Sequence, residues 1–282
     1  MTNQNIINRE EEIKKLEKIS IKKVKQRWRF VIFYRFMFLF ITLGGWEVLG
    51  RTGIIDPFFF SMPSSIVYQL YIWIIKGTSQ GPLWVQVVVT LEETVLGFLI
   101  GAVMGIISGI ALGRNKMLAD IFSIYIKIAN AIPRIVLGSI FIIALGLGMA
   151  SKVALAVVMV FFVVFGNAFQ GVREADMNLI ANAKVLGASD RQVTFKVVLP
   201  SALSWILASL HISFGFALVG AVVGEFLGSK QGIGLLIATA QGAFNAAGVF
   251  AAMIVLAVVA LIADYLITRL ENRLLKWRPT VQ

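Results

Sequence analysis

Residues 171–203 read GVREADMNLIANAKVLGASDRQVTFKVVLPSAL, a polar island between apolar runs of membrane length. Its local signals predict a helix, a glycine turn and a second helix. The first helix is expected over Asp176 to Leu186 and stops at Gly187, because glycine takes a left-handed backbone just past a helix end without steric cost. The second begins at Ser189. Ser189-Asp190-Arg191-Gln192 is a capping box, in which the Ser and Gln side chains reach reciprocally for orphan backbone donors. Pro200 disfavours helix in the residue before it, so the second helix is expected to end there. Leu179, Ala183 and Leu186 share one face of the first helix. An exposed apolar face calls for a partner, and a helix laid into a hydrophobic groove is an ordinary mode of recognition. Lys184 and Arg191 stand where they could pair with acidic groups at the rim of such a groove.

The rest of the chain fixes the fold class. Its residues are 58% hydrophobic and 15% charged, against about 25% charged in soluble domains. The apolar runs are about 20 residues long, the length that crosses a bilayer as a helix. Alternating segments of about 10 residues, as a barrel requires, are absent. An all-α polytopic membrane protein with six spans follows. The expected spans are 30–49, 94–113, 118–149 (interrupted at Pro133), 153–169, 202–224 and 246–268. Segment 50–93 joins the first two, with a short helix from Ile66 to Ile75, capped by Ser64, lying at the interface. Gly97, Gly101, Gly105, Gly109 and Gly113 fall every four residues along one stripe. Such a stripe either packs tightly on a neighbouring helix or forms a sliding or pore-facing surface.

Charge orients the spans. With the N-terminus inside, segments 1–29, 114–117, 170–201 and 269–282 hold 19 of the 26 Lys and Arg; the outer side holds four, Arg51, Lys76, Lys152 and Lys230. This is a strong positive-inside bias. It places both termini and the island in the cytoplasm and makes the net charge of +11 topological, with no call for nucleic acid. Residues 1–29 form a basic N-terminal segment. Ile13, Leu16, Ile19 and Val24 recur there at helical spacing, which predicts an amphipathic helix on the lipid of the inner leaflet. Residues 30–282 form the transmembrane domain. The sequence has no cysteine and one histidine, so no metal site is expected.

The island resembles the EAA loop of ATP-binding-cassette importer permeases: Ala181-Asn182-Ala183, three residues, Gly187, then Leu199-Pro200. The family's Glu position is Ala181 and its first Ala is Asn182. From Ala131 onward the chain is similar to the nitrate, sulfonate, taurine and bicarbonate branch, through Ile132-Pro133, Leu145-Gly146-Leu147-Gly148, Leu186-Gly187-Ala188-Ser189, Val223-Gly224-Glu225 and Gly232-Ile233-Gly234. The resemblance implies a permease of the bacterial inner membrane, paired as a homodimer. It implies two cytoplasmic ATPase subunits docked on the island, which would bind ATP and magnesium, and an external solute-binding protein. This chain would bind no cofactor and catalyse nothing. In agreement, no GxxxxGK[ST] phosphate loop is present; Gly224 to Lys230 has the wrong spacing.

Ionisable groups within spans are candidates for a solute pathway. His211, in the fifth span, either lines the pathway or bonds a neighbouring helix. Arg134 follows Pro133 in the broken third span and, with Asn130 and Lys127, offers donors to an anion. Asn167 either gates the inner side or caps its helix, and Glu225 suggests a structural or gating role. Glu92 and Glu93 are expected at the outer start of the second span, and Glu47 and Asp264 near span ends, solvated or paired. An ion-gradient-driven secondary transporter is the rival reading.

Overall fold

The computed structural model describes residues 3–274, with side chains from Val24 onward apart from those of 270–272 and 274. Its helices are α1 Asn3–Arg51, α2 Pro57–Phe60, α3 Pro63–Ile75, α4 Leu83–Arg114, α5 Lys116–Ala131, α6 Arg134–Leu145, α7 Met149–Arg173, α8 Met177–Val185, α9 Asp190–Val193, α10 Leu199–Leu227, α11 Ile233–Gly242 and α12 Ala246–Leu274, with a π turn at Thr194–Val198. The chain groups into two compact units, Met1–Ser65 and Ile66–Gln282.

In the first unit one helix runs through the basic segment and the first span. The side chains of Ile13, Leu16 and Ile19 lie outside the described residues. Ser64 is not the cap expected of it. It lies inside α3 and donates its N–H (3.0 Å) and hydroxyl (2.8 Å) to the Glu47 carboxylate, which Arg51 also holds at 2.7 Å. Glu47 is thus the anion at the start of α3, where the unsatisfied N–H groups favour negative charge.

The second unit is built on α4, α7 and α10. The glycine stripe of α4 is a packing surface within the chain. Gly97, Gly101, Gly105, Gly109 and Gly113 lie in turn against Ala156, Val160, Val164, Ala168 and Val172 of α7. A Cβ at Gly109 would stand 2.8 Å from Ala168 Cβ and from the Phe165 carbonyl oxygen, so only glycine allows the two backbones this close. Residue numbers rise together along this contact, so α4 and α7 run parallel. Helix α10 runs the other way, with Gly171 at Trp205 and Gly220 at Ala156.

Parallel helices need a connection that returns across the layer, and α5–α6 supplies it. Ala119 of α5 is buried at the Val172 and Val193 end, whereas Gly138 of α6 meets Leu155 and Leu227 at the opposite end. The expected third span is therefore a pair of helices bent by 87° at Ile132-Pro133. The second span starts at Leu83 rather than Thr94, which places Glu92 and Glu93 well inside α4. The fifth reaches back through the π turn to Asp190. Pro57–Ile75 is also long and apolar enough to cross a membrane. Within it, Gln69 accepts a hydrogen bond from Asn245, just before α12, at 3.5 Å.

Candidate functional site

Two polar constructions stand at opposite ends of the α4–α7–α10 core. At one end is the island. Asp176 caps α8, its carboxylate accepting from the Asn178 N–H at 2.8 Å. Gly187 ends the helix at φ +83°, with Gly187 N–H bonded to the Lys184 carbonyl and Ala188 N–H to that of Ala183, both at 3.0 Å. This pair of bonds is a Schellman stop. The capping box is formed: Ser189 N–H donates to Gln192 Oε1 at 2.8 Å and Gln192 N–H to Ser189 Oγ at 3.4 Å.

The second helix does not end at Pro200. A π turn over Thr194–Val198 carries it directly into α10, and Leu199 stays helical. The proline ring lacks an N–H and clashes with the carbonyl of an ordinary preceding turn; a wider turn relieves both problems, and such bulges recur at functional sites. The island is thereby continuous with a membrane-spanning helix.

One face of α8 is fastened to the core. Ile180, Ala183 and Ala188 pack on a buried cluster of Ala168, Val172, Ala175, Val193, Val198, Ala202 and Ile206. Ala183, expected on the outer face, is thus half-buried on the inner one. The outer apolar groups are Leu179 (53% exposed), Val185 and Leu186 (87% each), with Met177. Ala181, Asn182, Gly187 and Arg191 are exposed as well, and Lys184 pairs with Asp190 at 3.4 Å across the turn.

At the other end a buried polar knot ties α4, α7, α10 and α11 together. Thr90 Oγ1 donates to Glu225 Oε1 at 2.7 Å and accepts from Ile233 N–H at 2.9 Å. Gly234 N–H donates to Glu225 Oε2 at 2.7 Å, and Gly232 N–H to Gln86 Oε1 at 2.8 Å. Glu93 meets Glu225 carboxyl to carboxyl, and Lys152, fully buried, lies within electrostatic reach of both. The Lys152 ammonium donates to the carbonyls of Leu147 (2.7 Å) and Gly148 (3.1 Å). Glu225 thus has a structural setting at the first turn of α11. Lys152, counted above among the outer charges, is buried with its ammonium held by backbone carbonyls. The sequence did carry a signal for the missed members: Gln86, Thr90, Glu93 and Thr94 recur at helical spacing and extend the glycine stripe. Starting the span at Thr94 concealed it.

The pathway candidates do not meet at one point. Arg134 Nη2 donates to Asn130 Oδ1 at 2.8 Å beside the Pro133 bend, its guanidinium 5.1 Å from the Phe162 ring centre. Asn167 donates to the Val163 carbonyl of its own helix at 2.9 Å. His211 pairs with Asp264 of α12 at 3.2 Å, beside a cavity of about 320 Å³ between α10 and α12.

Residues 97–276 match the family described as the binding-protein-dependent transport system inner membrane component. The chain belongs to this family. The permease is 33% identical over 238 residues to SsuC of Bacillus subtilis (strain 168), a permease described for aliphatic sulfonates, covering 84% of this chain and 85% of that one. It is 28% identical to the taurine transport system permease protein TauC of Escherichia coli (strain K12), covering 94% of this chain and 98% of that one. Its fold is that of a chain from the MetNI methionine ABC transporter solved in inward facing conformations, with a TM-score of 0.59 and 22% identity, covering 69% of this chain and 94% of that one. The permease is accordingly a multi-pass inner-membrane subunit of an ATP-binding-cassette importer, and a transport protein in function.

Proposed function

We propose that this permease carries a small sulfonate-like anion and that α8, the glycine turn and α9 receive the stroke of a separate ATPase subunit. The observation that supports it is the exposed Leu179, Val185 and Leu186 on a loop whose other face is packed into the α7–α10 core. A docked partner covers the outer face, and movement of the loop passes through the π turn into α10 without a flexible joint. The likeness to permeases described for aliphatic sulfonates and taurine supports the solute class.

In this reading two permease copies form the pathway and two ATPase subunits bind ATP and magnesium. An external binding protein delivers the solute, and both termini and the loop face the cytoplasm. The pathway candidates are the Asn130–Arg134 pair at the helix bend and His211 with Asp264, whereas Glu225 holds α11 in place.

The test is uptake of taurine or a short alkanesulfonate by proteoliposomes holding the permease with its ATPase and binding protein, with ATP hydrolysis read in the same vesicles. Gly187→Val places a β-branched residue at φ +83°, a strain of about 1–2 kcal/mol. No atom stands within 4 Å of the new Cβ, so the effect is confined to the turn. We expect hydrolysis to continue while uptake falls several-fold, with the spans still folded. Unchanged coupling contradicts the assignment of the turn. Uptake driven by an ion gradient without ATP favours a secondary transporter.

A further inference from the structure

A groove of about 820 Å³ opens between the end of α4, the start of α5 and the π turn. Its walls are apolar: Ile106, Ile107 and Ile110 of α4 face Phe195 and Leu199, with Ile107 and Phe195 largely exposed. Arg114 and Lys116 stand at its rim, both exposed, and among the described residues neither enters a salt bridge. A neighbouring cavity of about 430 Å³ shares these two cations and adds Arg173 and the Lys184–Asp190 pair. Arg173 is stacked on Phe169, 5.5 Å from the ring centre. The nearest carboxylate along α5 is Asp120, one turn beyond Lys116.

The rim is therefore cationic and the interior apolar. Ile106 lies about 12 Å along the helix from Arg114 at the usual rise of ~1.5 Å per residue. An occupant matching both features has an anionic head and an apolar tail at least that long. A free anion leaves the isoleucine and phenylalanine walls uncovered, and an uncharged lipid leaves the two cations without a counter-charge. Basic pockets between membrane helices at the cytoplasmic side suit anionic lipid headgroups.

We propose that this groove binds an anionic glycerophospholipid, its headgroup between Arg114 and Lys116 and an acyl chain along Ile106–Ile110 and Phe195. Thr194 and Phe195 belong to the π turn that joins α9 to α10, so the lipid braces the root of the loop that meets the ATPase. The proposal rests on the coupling reading for this consequence, and on the cytoplasmic placing of the loop only for the choice of leaflet.

The full chain in nanodiscs is to be photolabelled with phosphatidylglycerol carrying a diazirine on an acyl chain, and in parallel with phosphatidylcholine of the same chains. Labelled peptides are then mapped. Phosphatidylglycerol is expected to label 106–118 and 194–199. Arg114→Gln with Lys116→Gln is expected to reduce that labelling about tenfold. Arg114→Lys with Lys116→Arg retains it, and Lys230→Gln, at the other end, leaves it unchanged. Equal labelling by the two lipids overturns the proposal. Displacement of the label by a water-soluble alkanesulfonate also overturns it and assigns the groove to the solute. The leaflet is read separately, from the reaction of a single cysteine at Met117 with an impermeant maleimide in inverted vesicles. Reaction only from the opposite face contradicts the orientation and leaves the labelling result to stand or fall alone.

Discussion

Gly187, at φ +83°, and Lys152, fully buried, are the single residues that mark the two ends of the core. Gly187 was legible because the backbone rule for helix stops is local: glycine follows a periodic segment, and a capping box restarts the chain two residues later. Lys152 was not legible. Its partners, Glu93 and Glu225, lie far away in sequence, and a lone lysine after Gly148-Met149-Ala150-Ser151 reads as an interfacial charge. The structure buries it completely with both carboxyls. Removing the lysine leaves the nearby buried carboxyls without its positive charge, which is destabilising. Lys152→Met is therefore expected to lower the denaturant midpoint of the purified permease sharply. Combining it with Glu93→Gln and Glu225→Gln is expected to restore most of the loss. A triple variant no more stable than Lys152→Met would show that the knot is held by its hydrogen bonds and not by charge balance.

Among the elements, α4 and the helix that passes Pro200 are the informative ones. The four-residue glycine period left open a packing stripe or a sliding or pore-facing surface, and the structure packs it on α7 of the same chain. The sequence could not name that partner, since any helix with small or branched residues at matching spacing would serve. Gly109→Val introduces atoms where Ala168 Cβ and the Phe165 carbonyl oxygen already stand 2.8 Å from a Cβ. Overpacking of this kind costs about 1–3 kcal/mol, so a lowered unfolding midpoint is expected in a denaturant titration. Valine at Gly166, whose Cβ would meet nothing within 4 Å, should leave it unchanged. Pro200 misled the reading for the opposite reason. The rule that helix stops before proline is statistical, and a π turn offers a way round it that composition does not announce. The same continuity makes the loop mechanically part of α10.

For the molecule as a whole, the helical membrane fold followed from run lengths, and the sidedness proposed above rests on the bias of 19 basic residues to four. With Lys152 internal, the outer count falls to three and the bias strengthens. The parallel contact of α4 with α7 adds an independent constraint, because it requires the bent α5–α6 pair to cross. The pathway was the least legible part. It depends on which faces of several helices turn inward, and in the proposed homodimer some of those faces belong to a second copy. Because the chain has no cysteine, sidedness can be read cleanly. Lys230→Cys is expected to react with an impermeant thiol reagent from outside intact cells and Asn182→Cys only in inverted vesicles; the reverse pattern would invert the topology.

Docking of the ATPase on the loop can be tested in the same cysteine-free background. A single cysteine at Leu186, on the exposed face of α8, and a control at Ile180, on the face packed into the core, are to be crosslinked in membranes containing the ATPase subunit. A permease–ATPase adduct is expected from Leu186→Cys and none from Ile180→Cys. Absence of the adduct at Leu186, or its appearance from Lys230→Cys at the opposite end, would contradict the claim that this loop is where the ATPase acts.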